Sequence, residues 1–361
     1  MTASVFDHRV QRTLLVMAGG TGGHIFPGLA VADCVRNLGW KVVWMGNPEG
    51  MEARLVPARG YELLPLNFAA LRGKGALRLL LLPLRLLSAC WQARKHLQRL
   101  RPDVVLGLGG FVSFPGGLMA RCLRRPLVVH EQNSVAGLAN RVLARIADRV
   151  LTGFPDTLAG GVCCGNPLRP DILGLPEPAQ RLSARSGPLR LLVLGGSLGA
   201  AALNEQVPRA LALLPMAERP QVRHQSGEKH LEVLRANYAA AGVEAECLPF
   251  IEDMGAAYAW ADLVVCRSGA LTVAELAAVG VASILVPFPH AVDDHQTGNA
   301  RFLAQAGAAI LLPQEELTAE KLALMRTLTR PQLLQMAEKA RALARPEATA
   351  SVARTCMELV R

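Results

Sequence analysis

The chain has 361 residues, of which 51% are hydrophobic and 19% charged, and its formal net charge is +10. That length exceeds what one hydrophobic core usually supports, so we expect two domains, and the apolar content excludes a disordered chain. No signal peptide is expected because residues 1–10 contain no apolar run, and the protein is expected to stay in the cytosol. The eight cysteines form no C-x-x-C pair, which predicts reduced, mostly buried thiols and no zinc site.

Short apolar runs alternate with helical patterns along most of the chain. The predicted strands are residues 13–18, 41–45, 103–107, 127–130, 190–194, 222–225, 262–266 and 282–286. The predicted helices are residues 27–38, 136–147, 200–213, 228–241 and 270–279, and a purely helical pattern follows residue 331. This alternation predicts an α/β fold of parallel sheets that are covered by helices on both faces.

Two glycine-rich loops each follow a predicted strand and precede a helix. Their sequences are GGTGGH at residues 19–24 and GGSLGA at residues 195–200. Glycines there let backbone NH groups and the helix dipole approach a diphosphate, although a tight turn without a ligand is the stronger interpretation of either loop alone. Neither loop has the full G-x-G-x-x-G spacing, and no acidic residue lies at a suitable strand end about 20 residues beyond the first loop, which disfavours NAD. The repetition predicts two Rossmann-like halves with a linker around residues 173–188.

The segment 63–102 combines positive charge with leucine and contains no Asp or Glu. Its eight basic residues are Arg72, Lys74, Arg78, Arg85, Arg94, Lys95, Arg99 and Arg101. This mixture is typical of a helix that lies on an anionic membrane surface, and the apolar run is too short to span a bilayer. A core helix with solvated arginines is an equally good interpretation. Nucleic acid is disfavoured because the segment offers little besides Trp91 for base stacking.

Four histidines are predicted to lie at the carboxyl ends of strands, where ligands bind in open α/β sheets. They are His24, His130, His290 and His295. Histidine titrates near neutrality, so each is a candidate base, although a lone histidine is more often structural. His224 and His230 lack such a setting, and we predict no role for them.

Two patterns concern acidic side chains. Thr272 and Glu275 have the spacing of a capping box at a helix start, and a glutamate there can also accept hydrogen bonds from ribose hydroxyls. Spacing alone does not choose between these roles. Asp293 and Asp294 do not form the D-x-D pattern with which many sugar transferases hold a diphosphate through a cation, so neither a metal nor another cofactor is predicted.

Ordered blocks over nearly the whole chain resemble the MurG family, membrane-associated enzymes that add N-acetylglucosamine to lipid I in peptidoglycan synthesis. The blocks are GGTGGHIFPGLAVA (19–32), LRGKG (71–75), PDVVLGLGG (102–110), HEQN (130–133), GNPLR (165–169), LGGSLGA (194–200), HQSG (224–227), SGALTVAEL (268–276) and DDHQTGNA (293–300). The resemblance implies a GT-B glycosyltransferase fold, in which two Rossmann-like domains are separated by a cleft. Residues 1–168 would hold the acceptor and associate with the membrane, residues 169–341 would hold the donor, and the helix at about 342–361 would pack back on the first domain.

The resemblance also implies roles for individual residues. Thr21, Gly22 and Gly23 would line the acceptor side of the cleft. Arg169 and Ser197 would contact the donor diphosphate, and Ile251 would bind uracil through its backbone. Glu275 would bind the ribose hydroxyls, and Asn133 and Gln296 the sugar hydroxyls. The residues that would wrap the donor at the helix start are Ala270, Leu271, Thr272, Val273 and Ala274.

The predicted reaction is an inverting transfer of N-acetylglucosamine from UDP-N-acetylglucosamine to the 4-hydroxyl of the N-acetylmuramyl residue of lipid I, which forms lipid II. His24 is the first candidate for the base that takes the hydroxyl proton, and His130 is the second. The enzyme is expected to be peripheral on the cytoplasmic face of the inner membrane. Its predicted partners are UDP-N-acetylglucosamine, lipid I and the anionic membrane surface, without nucleic acid and with no protein partner indicated. Two alternatives stay open: a GT-B transferase with another lipid acceptor such as diacylglycerol, and a non-catalytic scaffold that binds a nucleotide sugar.

Overall fold

The structure is a computed structural model that describes residues 11–68, 81–183, 185–196 and 199–360. In the first half of these residues the strands are β1 Thr13–Met17, β2 Lys41–Gly46, β3 Glu62–Pro65, β4 Val104–Gly107, β5 Leu127–Glu131, β6 Arg149–Thr152 and β7 Val162–Cys163. They form a parallel sheet in the order β3-β2-β1-β4-β5-β6-β7. The order reverses direction beside β1, which is the place where open α/β sheets bind ligands.

A second parallel sheet repeats this plan in the other half of the chain. Its strands are β8 Arg190–Leu194, β9 Gln221–Gln225, β10 Glu246–Leu248, β11 Leu263–Cys266, β12 Ala282–Leu285 and β13 Ala309–Leu311. Their order is β10-β9-β8-β11-β12-β13, so the order reverses beside β8. Both reversals lie next to the strand that leads into a glycine-rich loop.

Helices connect the strands and cover both faces of each sheet. With the first sheet they are α1 Gly22–Asn37, α2 Glu52–Ala58, α3 Leu82–Leu100, α4 Ser113–Cys122 and α5 Leu138–Leu143. The later helices are α6 Pro170–Leu173, α7 Pro178–Leu182, α8 Ala201–Ala212, α9 Leu231–Ala241, α10 Met254–Trp260, α11 Ala270–Val279, α12 His295–Ala304, α13 Ala319–Ala323, α14 Arg330–Ala342 and α15 Ala348–Glu358. In β1, Leu14 and Val16 pack in one hydrophobic cluster and Leu15 and Met17 in another, because successive side chains of a strand point to opposite faces.

The last helix, α15, returns to the first sheet. Its buried residues Val352, Ala353 and Cys356 belong to the same hydrophobic cluster as Leu14 of β1. Helix α14 packs in the second half, where Ala340 contributes to the cluster around Val264. The division of the chain at residue 168 stays a prediction.

The predicted strands agree closely with the observed ones, and each lies at the position of β1, β2, β4, β5, β8, β9, β11 or β12. The strands that the sequence did not reveal are β3, β6, β7, β10 and β13, which are two to four residues long and lie at or next to the sheet edges. The predicted linker around residues 173–188 begins at the end of helix α6 and contains helix α7, whose Leu182 is buried. All eight cysteines are free, but only Cys266 and Cys356 are fully buried, so the expectation of mostly buried thiols is wrong.

Helix α3 has two different faces. Its buried face consists of Ala89, Ala93 and Leu97. Its exposed apolar face consists of Leu84, Leu87 and Trp91, which are 63%, 66% and 58% exposed. The interpretation in which the leucines of this segment pack in the core is therefore wrong for Leu84 and Leu87. Residues 69–80, which include LRGKG, lie outside the described part, and within that part no helix is long and apolar enough to cross a membrane.

Candidate active site

The first glycine-rich loop leads directly into helix α1. Thr21 is the N-cap residue of α1 and makes no capping hydrogen bond with its side chain, and the first turn contains no acidic residue. The amide groups of Gly22 and Gly23 lie at this helix start, a position that favours negative charge. The segment after β4 packs closely against this loop, because a Cβ at Gly110 would lie 2.3 Å from the carbonyl oxygen of Gly19.

The buried carboxylate of Glu52 contacts the backbone of the same loop. Glu52 is completely buried, and its side chain accepts hydrogen bonds from the backbone NH groups of Gly20 (3.1 Å) and Asn47 (2.9 Å). A Cβ at Gly19 would approach the Glu52 carboxylate to 2.3 Å. Glu52 thereby ties the first loop to the end of β2. The sequence gives no sign of this contact, since Glu52 lies outside every motif.

Residues of the HEQN block connect His24 with the protein interior. Nδ1 of His24 lies 2.8 Å from Oε1 of Gln132, and Nε2 of Gln132 lies 2.9 Å from Nδ1 of His130. Nε2 of His130 lies 2.9 Å from the carbonyl oxygen of Gly165. His24 is partly exposed, whereas His130 and Gln132 are 0% and 1% exposed. Both ring nitrogens of His130 are thus occupied inside the protein, which favours His24 as the candidate base.

The environment of His130 keeps it uncharged near neutral pH. Burial lowers the pKa of His130, against the smaller opposing effects of its hydrogen bond to Gly165 and of the nearby Glu131 charge. Glu131 itself accepts hydrogen bonds from the backbone NH of Asn133 (2.9 Å) and the side chain of Asn140 (2.8 Å). Glu131 therefore fixes the loop in which the candidate sugar-binding residue Asn133 lies.

This loop contacts the second half of the chain through Asn299. Asn299 lies on α12 and is completely buried. Its Oδ1 accepts a hydrogen bond from the backbone NH of Ser134 at 2.8 Å, and its Nδ2 donates to Oδ1 of Asn133 at 3.3 Å. A Cβ at Gly298 would lie 2.4 Å from Oγ of Ser134, so the two halves pack closely at this point. Loops at the carboxyl ends of the two sheets therefore touch.

The second glycine-rich loop has the same tight geometry as the first. Gly196 and Gly199 have φ angles of +82° and +77°, which favour glycine. A Cβ at Gly199 would lie 2.0 Å from the carbonyl oxygen of Ser226 after β9. Ser197, the candidate diphosphate ligand, lies outside the described residues.

Glu275 is not part of a capping box. Helix α11 begins at Ala270, so Thr272 and Glu275 lie inside the helix, and neither caps its start. Instead Oη of Tyr258 donates a hydrogen bond to Oε2 of Glu275 at 3.0 Å. Burial raises the pKa of Glu275 to about 7, although the charge of Arg169 and the hydrogen bond from Tyr258 oppose this effect. A carboxyl group held in this way is ready to accept hydrogen bonds from a polar ligand.

The other candidate donor-binding residues lie on α11, in the segment after β10 and on α12. Ile251, Leu271 and Ala274 are partly buried against the hydrophobic cluster of the second half, and Val273 is completely buried within it. The side-chain oxygen of Gln296, on the first turn of α12, accepts a hydrogen bond from the backbone NH of Phe288 at 3.0 Å. These residues follow β10, β11 and β12, so their backbones lie at the carboxyl edge of the second sheet.

Among the described residues, no group of three or more His, Cys, Asp or Glu side chains could hold a metal ion. The adjacent aspartates of the DDHQTGNA block make other contacts. Asp293 lies 3.6 Å from Arg141 of α5, and Asp294 accepts a hydrogen bond from Thr297 at 2.7 Å. The ion pair of Asp293 is a second contact between the two halves of the chain.

Comparison with known proteins places both halves in one family. Residues 14–152 match the glycosyltransferase family 28 N-terminal domain, and residues 190–354 match the C-terminal domain of the same family. A protein of Dechloromonas aromatica is 63% identical over 352 residues, which are 98% of this chain and 100% of the relative. A protein of Azoarcus sp. is 67% identical over 350 residues, or 97% and 98% of the two chains. Both relatives are named UDP-N-acetylglucosamine--N-acetylmuramyl-(pentapeptide) pyrophosphoryl-undecaprenol N-acetylglucosamine transferase.

Solved structures agree with these relationships. The crystal structure of MurG from Acinetobacter baumannii matches with a TM-score of 0.84 and 41% identity, over 96% of this chain and 99% of that one. The glycosyltransferase of kitacinnamycin matches with a TM-score of 0.71 but only 18% identity, over 98% and 100% of the two chains. The second likeness concerns the fold alone.

Proposed function

Because the chain belongs to glycosyltransferase family 28, and within it to the MurG N-acetylglucosaminyltransferases, we propose that it converts lipid I to lipid II. Its fold is GT-B, with two Rossmann-like domains. The enzyme transfers N-acetylglucosamine from UDP-N-acetylglucosamine to the N-acetylmuramyl residue of the lipid-linked acceptor. Within the site, the observation that carries this proposal is the pair of hydrogen bonds between the buried Asn299 and the loop of Asn133 and Ser134. They join the carboxyl edges of the two sheets. This contact supports one cleft, bordered by His24 on one side and Glu275 on the other.

The reaction that fits this cleft is one inverting displacement. The 4-hydroxyl oxygen of the acceptor forms a bond to the anomeric carbon as the bond from that carbon to the diphosphate oxygen breaks. The hydroxyl proton passes to His24, and UDP leaves with the electron pair of the broken bond. No sugar becomes attached to the enzyme. Because His24 is partly exposed and lies in the first turn of α1, it can contact an acceptor held at that helix start.

The donor would be bound mainly by the second half. Glu275 accepts hydrogen bonds from the ribose hydroxyls, and the backbone of Ile251 binds uracil. Arg169 and the amide groups of the second glycine-rich loop, including Ser197, stabilise the charge of the diphosphate without requiring a cation. Residues 270–274 wrap the donor at the start of α11.

The acceptor would be bound by the first half. Thr21, Gly22 and Gly23 line its side of the cleft, where the positive end of α1 suits the acceptor diphosphate. Asn133 and Gln296 would bind the hydroxyls of the donor sugar, Asn133 from the first half and Gln296 from the second. The contact between Asn133 and Asn299 supports this arrangement, because it holds one sugar-binding residue against α12, which carries the other.

The exposed apolar face of α3 (Leu84, Leu87 and Trp91) would lie against the cytoplasmic face of the inner membrane, where the acceptor resides. These residues are spaced three and four apart, so they form one stripe along the helix. Nζ of Lys95 lies 3.7 Å from the ring centroid of Trp91, and Arg94 is exposed beside it. Apolar side chains flanked by cations suit an anionic bilayer surface, to which each cation adds about 1 kcal/mol of binding free energy.

The test is an assay of UDP release by purified protein with UDP-N-acetylglucosamine and either lipid I or diacylglycerol in vesicles. We expect release with lipid I only. Release with diacylglycerol would favour a transferase of another lipid, and donor binding without release would favour a scaffold. The variant His24→Ala should lower kcat by about 100-fold or more while leaving the dissociation constant of the donor nearly unchanged. Near-normal kcat in this variant would remove His24 as the base.

A further inference from the structure

Two backbone carbonyl groups determine where the protons of the HEQN block lie. The carbonyl oxygen of Gly165 can only accept, so the proton of the neutral His130 ring must be on Nε2, 2.9 Å away. Nδ1 of His130 is then an acceptor, and the amide group of Gln132 that faces it must be the NH₂. The same NH₂ lies 2.9 Å from the carbonyl oxygen of His130, which also can only accept. The orientation of the Gln132 amide is therefore fixed by two independent acceptors.

The fixed amide determines the tautomer of His24. With its NH₂ group turned to His130, Gln132 presents Oε1 to Nδ1 of His24 at 2.8 Å. A carbonyl oxygen only accepts, so the proton of His24 must be on Nδ1, and the lone pair is on Nε2. We propose that Gln132 and His130 are positioning residues that hold His24 as the Nδ1-protonated tautomer, so that Nε2 is the atom that receives the acceptor proton. This inference rests on the proposed role of His24 as base.

Burial makes this hydrogen-bonded chain difficult to rearrange. Gln132 and His130 are almost completely buried, so water does not compete for their polar atoms. Because burial lowers the pKa of His130, this ring stays neutral and keeps one donor and one acceptor nitrogen. Gly109, with a φ angle of +102°, also lies against the ring of His24, and a Cβ there would come within 3.1 Å of Nδ1. The ring is therefore held at Nδ1 by a hydrogen bond, and glycine at position 109 leaves room for it there.

The arrangement suits His24 both before and after proton transfer. When Nε2 takes the proton of the attacking hydroxyl, the resulting imidazolium still donates from Nδ1 to Oε1 of Gln132. The amide is neutral and accepts no proton, so no proton moves along the chain toward His130. Gln132 thus orients the base and stabilises its charged form through the dipole of its carbonyl group.

The tautomers can be observed directly by NMR of the full-length protein labelled with ¹⁵N-histidine. We expect His24 to be protonated on Nδ1 and His130 on Nε2 in the wild type. The variant Gln132→Leu should abolish the preference of His24 for Nδ1. The buried His224, which contacts Tyr238 and Asn204 in the second half, should be unchanged and serves as an internal control. Gln132→Met, an unbranched side chain of similar size, provides a second variant if the leucine variant does not fold.

Kinetics then separate positioning from a general loss of structure. We expect Gln132→Leu or Gln132→Met to lower kcat by about 10- to 100-fold, while KM for UDP-N-acetylglucosamine changes by less than about twofold. Introduced into His24→Ala, the same substitution should have no further effect on kcat, because the side chain through which it acts is absent. An equal reduction with and without His24, or a wild-type His24 protonated on Nε2, would overturn the proposal. Near-normal turnover of His24→Ala alone would instead refute the base assignment and leave the tautomer measurement valid.

Discussion

Donor binding should depend on pH through Glu275. In the free protein, burial raises the pKa of this carboxyl group to about 7, so it is about half protonated at neutral pH. The ribose hydroxyls would donate hydrogen bonds to the carboxylate form, so binding must release the proton that the free protein carries. Below about pH 7 the affinity should therefore fall by up to tenfold, or about 1.4 kcal/mol, per pH unit. At higher pH the affinity should become constant.

Calorimetry of UDP-N-acetylglucosamine binding in buffers of different ionisation enthalpy measures this proton directly. We expect the release of about half a proton at pH 7, decreasing toward zero about two pH units higher. The sugar nucleotide is the proper ligand because it lacks a terminal phosphate, whose own pKa of about 6 would add to the signal. A histidine whose pKa is the same in the free and the bound protein releases no proton on binding, so it does not contribute to the signal.

Two variants assign the proton to Glu275. Glu275→Gln should abolish proton release near neutral pH and weaken donor binding by about 10- to 100-fold, because a charged acceptor is lost. Tyr258→Phe should move the pH dependence upward, since the hydrogen bond from Tyr258 lowers the pKa of Glu275. The reasoning is refuted if the wild type and Glu275→Gln release the same number of protons.

Three further predictions concern other parts of the molecule. Burial lowers the pKa of His224 to about 3, so between about pH 6.5 and 3 the unfolded state binds more protons than the folded state. The free energy of unfolding, measured in urea, should therefore fall by up to about 1.4 kcal/mol for each unit by which the pH is lowered through this range. His224→Gln should flatten this profile. Leu87→Glu should weaken sedimentation with anionic vesicles, whereas Val233→Glu, at a similarly exposed apolar position on α9, should not. Treatment with EDTA should leave UDP release unchanged, and an inactivation that magnesium reverses would contradict the proposal that the donor site needs no metal.

The central strands could be predicted because they are buried on both faces. A segment such as β1, with every residue from Thr13 to Met17 buried, is a continuous apolar run that local sequence reveals. Strand β10 is different, because it has three residues and Glu246 pairs with Arg223 of β9. Its existence depends on pairing with the neighbouring strand, which so short a segment does not reveal.

The candidate site was less predictable because its contacts join distant parts of the chain. The spacing of Thr272 and Glu275 indicated a capping box, yet the helix begins earlier and Glu275 interacts with Tyr258. Tyr258 lies 17 residues before Glu275 on another helix. Local spacing describes what a side chain can reach within its own helix, and it omits partners that only tertiary packing supplies.

The HEQN block illustrates how far periodicity can be used. Side chains alternate along an extended chain, so His130 and Gln132 share the face of Val128, which packs in the cluster of Ile25 from α1. Glu131 points to the opposite face, where it holds Asn140 of α5. The alternation alone therefore places His130 and Gln132, which we propose to position the candidate base, on one face. It places Glu131, which holds the loop that contacts the second half, on the other. It cannot identify His24, which is 108 residues from Gln132, or the Gly165 carbonyl that sets the proton positions. His24 is placed by the start of α1 and Gly165 by the segment after β7, so the proposed tautomer of the candidate base depends on tertiary structure.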